Sequence, residues 1–420
     1  MGTVVKAAPQ RTAAAGCMKC GFCMSVCPVY RVDHMESHVA RGRNMLICMA
    51  AEGDRAAEEG LDAVLDTCLL CGRCMAVCPA RVPSAEINVQ MRGNRFLRHG
   101  PSLAQRLVYR GILNHRHLMA CLVEAASMLP GTSREAGQPL RHMADFTAVL
   151  SGGISLPRIT RPVLSKRIKD TLRPPPNAVS RGKVAFFAGC AFAYFLSDVG
   201  FDTATALTGM GFEVVYPREQ TCCGMAVRNA GDVETARRMA ARNVEALAGF
   251  DQVVTGCATC GSTLKGYGQW FCEDDPLKAA ATALSVKVFD FSEFIVTKGF
   301  QPSRGPKQTV RATYHDPCHL KWHQGLSAPP RTILKALNGV DYVEMPGADA
   351  CCGLGGSFGL KHRSASLAIQ ARKMAAVRRS GARTLVTACP GCMLQLMDGV
   401  RRHHLDVEVV HISRLVRERT

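Results

Sequence analysis

No stretch of the 420-residue chain reaches the roughly 18 consecutive apolar residues that a membrane-spanning helix needs. The nearest approach, Val184 to Ser197, is 14 uncharged residues that include Gly189 and Cys190. The first sixteen residues lack a long apolar core. No secretory leader is therefore expected, and a reducing compartment, the cytoplasm, is the expected location. Aromatic residues make up only 6 % of the chain, and no stacking pattern or recognition motif accompanies the basic ones. That argues against a nucleic-acid binder. Acidic residues are outnumbered 34 to 52, for a formal charge of +18, and none occurs between Ile87 and Val123. Gly355, Gly356 and Gly359 lack the G-x-G-x-x-G spacing and the acidic residue that reads a ribose. Nothing binds flavin or reads a carboxylate recognisably, so no residue is assigned a catalytic role.

Cysteine is abundant, at 21 residues, mostly in short clusters. Two of these are complete C-x2-C-x2-C-x3-C-P runs, Cys17 to Pro28 and Cys68 to Pro79. This is the bacterial ferredoxin spacing for [4Fe–4S] clusters. Three closely spaced thiolates wrap one corner of a cube, and the turn at proline carries the fourth away. The expected ligation is crossed: Cys17, Cys20, Cys23 and Cys78 on one cube, and Cys68, Cys71, Cys74 and Cys27 on the other. Zinc knuckles or disulfides would not require two full copies, each with its proline. Two such cubes would lower the formal charge from +18 to about +14.

Between the runs, Val39 to Ala57 reads as a helical insertion, with Cys48 as a buried hydrophobe. The acid-free segment that follows carries Arg92, Arg95, Arg98, Arg106, Arg110 and Arg116. Leu103, Leu107, Val108 and Ile112 recur there at helical intervals, with Arg106 and Arg110 on another face. Two readings stand: a solvated face on a core helix, or a docking surface for a partner subunit or anionic lipid headgroups. Residues 130–182, with Pro174, Pro175 and Pro176, have linker composition.

The remainder is duplicated. Each half reads as a strand ending at a lone cysteine, a helix, a strand leading to Cys-Cys-Gly, a helix, a strand ending at C-x2-C, and a closing strand. The lone cysteine and the pair are separated by 31 residues in one copy and 32 in the other; the pair and C-x2-C by 33 and 36. The first pentad is Cys190, Cys222, Cys223, Cys257 and Cys260. The second is Cys318, Cys351, Cys352, Cys389 and Cys392. Strands alternating with helices predict parallel α/β units with the cysteines at strand ends. Five thiols exceed the needs of a tetrahedral zinc, so a larger or unusual cluster is implied. His315 and His319 flank Cys318 and are candidates either to donate to a cluster sulfur or to be satisfied by backbone. His323 lies near them. The expected organisation is a two-cluster ferredoxin-like domain over 1–90, a basic helical segment and linker over 91–182, and modules over 183–300 and 308–420. The fold class is α/β overall, with a helical N-terminal domain.

These motifs resemble the iron–sulfur subunits of flavin-linked hydroxyacid and glycerol-3-phosphate dehydrogenases, including the glycolate oxidase and lactate-utilisation types. They are also similar to heterodisulfide reductase with its C and B subunits fused. YHDPCH (Tyr314 to His319) and CCGLGGSFG (Cys351 to Gly359) look like the family's second-module signatures. The resemblance implies cluster ligation by both pentads, of the noncubane [4Fe–4S] kind found in heterodisulfide reductase. It leaves Cys48, Cys121 and Cys272 without a metal role. It further implies an electron-transfer subunit that partners an FAD-containing dehydrogenase acting on lactate or glycolate, and passes electrons toward menaquinone. Glycerol-3-phosphate oxidation and disulfide reduction at a module are the alternatives it carries.

Overall fold

The computed structural model describes residues 13–129, 131–135, 158–302 and 309–419. Its N-terminal domain is helical. The short helices Phe22–Val26 and Arg73–Ala76 follow Gly21 and Gly72, and carry the third cysteine of each run. The insertion between the runs is two helices, Ala40–Ala51 and Arg55–Val64, where the sequence suggested one as far as Ala57. Glu52 and Gly53 break it, and Asp54 restarts it by accepting the Ala57 N–H at 3.0 Å. Ile47, Leu61, Val64 and Ile87 form the core here, with Cys17, Cys48 and Cys78 packed on it.

A two-stranded parallel ribbon, β1 (Ser133–Glu135) and β2 (Ile159–Arg161), precedes the modules. The first module's sheet comprises β3 (Thr171–Leu172), β4 (Lys183–Phe186), β5 (Glu213–Val215), β6 (Val253–Thr255) and β7 (Val288–Asp290). Its order is β3-β5-β4-β6-β7. The second comprises β8 (Val310–Tyr314), β9 (Val340–Tyr342), β10 (Thr384–Thr387) and β11 (Glu408–His411), ordered β9-β8-β10-β11. Strands β4 to β7 and β8 to β11 are therefore all parallel and share one topology. The segment before Val184 does more than link. β3 adds an antiparallel edge strand, and Leu164 and Ile168 are fully buried in the first module's core.

The modules share one apolar core and meet at the C-terminal ends of their strands. The Ala258 N–H donates to Ala388 O at 3.0 Å, and His411 Nε2 donates to Gly256 O at 2.7 Å. Burial pushes the His411 pKa down to about 4. An unfolded histidine takes its proton near pH 6.5. Between those values the unfolded chain binds the extra proton, so stability is full above pH 6.5 and falls as pH drops. The loss should reach about 3 kcal/mol by pH 4. Denaturant midpoints across this range should show that slope in the native chain and a shallower one in His411→Asn.

Candidate metal centres

Both ferredoxin runs fold into cavities at the seam between their helices. One cavity is lined by Cys17, Cys20, Cys23, Cys74 and Cys78. The other is lined by Cys27, Cys68, Cys71 and Cys74. Burial pushes the Cys27 thiol up to about 11 and raises Cys74 well above its usual value. Such thiols stay protonated without a compensating cation, so metal binding here would release protons. Buried Arg43 faces the second cavity and donates to His38 O at 2.6 Å. Burial opposes its charge, but Cys68, Cys27 and Cys74 outweigh that and raise its pKa.

The pentads lie where three successive strand ends converge, at the crevice between β4 and β6 and between β8 and β10. In open α/β sheets such a crevice is the ordinary ligand site. Cys190, Cys257 and Cys389 each immediately precede a helix, while both Cys-Cys pairs are buried beside them. The glycine of the second pair, Gly353, has φ +98°, and a Cβ there would sit 2.8 Å from Ser366 O. Only glycine lets the chain turn away after two adjacent thiols at that position.

The thiols of both pentads form a series of neighbours, each near enough to shift the ionisation of the next. Cys190 meets Cys222, which meets Cys223; the line continues through Cys260 to Cys257. Cys257 touches Cys389 of the second module, and Cys392, Cys352, Cys351 and Cys318 follow. The Cys352 and Cys392 sulfurs are 3.7 Å apart. Cys318 in turn contacts Cys71 of the N-terminal domain, which lowers the Cys71 pKa. One thiol line thus joins three structural units.

His315 is fully buried, and its ring lies among Cys352 and Cys392, with all three ligand atoms within 4.8 Å of one another. Neither ring nitrogen has a hydrogen-bond partner among the described residues. An imidazole orphaned twice beside two thiols fits a metal centre and contradicts satisfaction by backbone. Phe187 holds the same place in the first module: its N–H donates to Val254 O, as that of His315 donates to Val386 O. His319 stacks on His323, with centroids 4.7 Å apart, and His323 donates to Leu70 O at 3.2 Å. The stack leaves no room beside Gly72, where a Cβ would lie 2.7 Å from His323 Nε2 and φ is +76°. The glycine run after Cys352 serves packing as well. A Cβ on Gly355 would strike Leu69 Cδ2 at 2.3 Å, beside Cys68.

Of the cysteines without a motif, Cys48 is packed in the N-terminal core, whereas Cys121 and Cys272 are exposed. The sequence reading missed Lys373, whose buried ammonium donates to Gly347 O at 2.7 Å and Ala348 O at 3.1 Å. Burial lowers its pKa to about 8, while Cys352, Cys318 and Cys351 favour its charge. A lysine inside the apolar stripe Ile369, Met374 and Val377 is the signal that marks it.

In the acid-free segment the expected apolar face is exposed along with Arg106 and Arg110, and most of the arginines are paired. Arg92 is buried, Arg95 pairs with Asp66, Arg98 with Asp62 and Glu58, Arg110 with Asp232 and Arg116 with Glu219. Leu103 and Leu107 are instead 83 % and 63 % exposed. The acids missing locally are supplied by distant stretches; of these arginines only Arg92 is buried, while Arg98, Arg106 and Arg110 stay exposed. No helix among the described residues is long and apolar enough to cross a membrane.

The helical cavities and twin thiol-lined crevices define an iron–sulfur protein with a dicluster domain and two cysteine-rich modules. Residues 13–82 match the 4Fe-4S dicluster domain, and 184–265 and 312–397 match the cysteine-rich (CCG) domain. The chain belongs to the CCG-domain iron–sulfur family that includes the glycolate oxidase iron–sulfur subunit. It is 30 % identical over 415 residues to the probable glycolate oxidase iron-sulfur subunit of Bacillus subtilis, covering 96 % of this chain and 93 % of that one. It is 29 % identical over 405 residues to a fumarate reductase (CoM/CoB) subunit of Methanothermobacter marburgensis, covering 96 % and 71 %. Lactate utilization protein A of a Geobacillus species is 31 % identical over 237 residues, 56 % of this chain and 100 % of that protein.

Proposed function

We propose that this chain is the electron-transfer subunit of a flavin-dependent 2-hydroxyacid dehydrogenase complex, with lactate or glycolate as substrate. Its partners are an FAD-containing dehydrogenase subunit and menaquinone or another membrane acceptor. The observation that carries this reading is the unbroken thiol line from Cys190 to Cys71, continuous with the second ferredoxin cavity. Two cubane [4Fe–4S] clusters, and one or two further clusters in the modules, would supply one-electron steps when bound. Cys17, Cys20, Cys23 and Cys78 hold one cube; Cys27, Cys68, Cys71 and Cys74 hold the other. Each pentad holds a module's cluster. Burial of the Cys-Cys pairs and C-x2-C thiols keeps water from those sites. Exposed Leu103 and Leu107, flanking Arg106, suit a cytoplasmic protein resting on an anionic membrane face.

Loaded protein alone should show no lactate or glycolate dehydrogenase activity with an artificial dye. Adding the flavoprotein and hydroxyacid should bleach its iron–sulfur absorbance, and a menaquinone analogue should restore it. Hydroxyacid turnover by the isolated chain would end this reading. A second reading, disulfide reduction at the second module, is favoured by a cavity that reaches Cys351 and by the similarity to the fumarate reductase (CoM/CoB) protein. Rapid disulfide reduction in the same assay, with no response to the flavoprotein, would replace the first reading by the second.

A further inference from the structure

Where the N-terminal domain meets the second module, a cavity of about 160 Å3 opens beside Cys351. Among the described residues, five cations line it and no carboxylate does. Arg31 and Arg73 come from the N-terminal domain. Arg372, Lys373 and Arg379 come from the helix Arg363–Ser380. The helical period explains the second group: positions 369, 372, 373, 376 and 379 share one face, and Ala376 leaves space between the two arginines.

This concentration of positive charge is poorly balanced. The nearby carboxylate of Asp349 is divided between Arg73 at 3.4 Å and Lys321 at 3.0 Å. Among the described residues, Lys373 and Arg31 donate only to neutral carbonyls, those of Gly347, Ala348 and Ser25. Among the described residues nothing pairs with Arg372 or Arg379, in contrast to the paired arginines of the acid-free segment. Lys373, buried against Cys351 and Cys352, is placed to offset thiolate charge. That role does not extend to Arg372 and Arg379, which are exposed at the mouth, where solvent screens them.

We infer that this cavity binds a small multiply charged oxyanion, a phosphate or a polycarboxylate, held by Arg372 and Arg379 with Arg31 and Arg73 opposite. Guanidinium forks match the oxygens of either group with paired hydrogen bonds, and pockets at domain boundaries commonly take small ligands. The inference depends on neither functional reading above.

The test is calorimetric titration of full-length, cluster-loaded protein with inorganic phosphate, and separately with citrate, in chloride at fixed ionic strength. One saturable site is expected for at least one anion. Saturation by phosphate alone assigns a phosphate ligand, and by citrate alone a polycarboxylate. R372A/R379A should weaken binding roughly tenfold or more. R378A, on the same helix outside the cavity, should leave it unchanged. If the double alanine variant loses iron, R372K/R379K keeps the charge and should still bind more weakly, because lysine cannot fork. Absence of saturation with both anions, or undiminished affinity in the iron-replete double variants, would overturn the inference.

Discussion

Serine in place of Cys27 is expected to remove about four irons per chain, and the site lost is the one beside the second module. Cys27 follows the first run in sequence, yet its thiol lines the cavity formed by Cys68, Cys71 and Cys74. Its partner in the exchange is Cys78, which lines the cavity of Cys17, Cys20 and Cys23. The two variants are separable because only the Cys68 side touches a pentad, through Cys71 and Cys318. Magnetic coupling between an N-terminal site and the second module, read by EPR of the reduced protein, should disappear in Cys27→Ser and persist in Cys78→Ser. The reverse pattern would mean that each run keeps its own fourth thiolate.

Arg92→Ala should lower stability by about 3–5 kcal/mol, measured as the denaturant midpoint under anaerobic conditions. The guanidinium is buried and donates to Leu65 O at 2.7 and 3.1 Å, to Cys68 O at 2.7 Å and to Asn229 O at 3.0 Å. It therefore fastens the entry of the second cysteine run to the first module. Alanine would strip this donor from the half-buried Cys68 and Asn229 carbonyls and leave Leu65 O with only the Asn88 amide at 3.4 Å. Lysine reaches at most part of this fork, so Arg92→Lys should recover only a minor share. A midpoint unchanged by either substitution would show that water replaces the guanidinium freely.

The sequence made the repeat legible because each strand of a doubly covered parallel sheet is a short apolar run with a turn behind it. VAF, EVV, VVT and their second-half counterparts all fall on strands. The cysteines were legible for the same reason, since strand ends are where chains must turn. The environment of the basic segment was not. Helical spacing of Leu103 and Leu107 suggests a core face, and nothing local reveals that Asp66 and Asp232 claim the arginines from far along the chain. Contacts between units are equally silent in sequence. Neither the touch of Cys257 on Cys389 nor that of Cys71 on Cys318 has a spacing to betray it. The orphaned nitrogens of His315 belong in the same group: a histidine before a cysteine names no partner until the fold supplies one.

Two identical halves would offer an electron equal resting places and no preferred direction of travel. This duplication has diverged where it matters for that choice. An imidazole at His315 stands among the thiols of the second half, and a phenyl ring at Phe187 stands in the first. Hydrogen bonding and local polarity set the potential of an iron–sulfur site, so clusters held in the two halves would form a step rather than a plateau. In the electron-transfer reading proposed above, direction would be written as a difference between copies, the half that carries the imidazole being the one whose Cys318 meets Cys71.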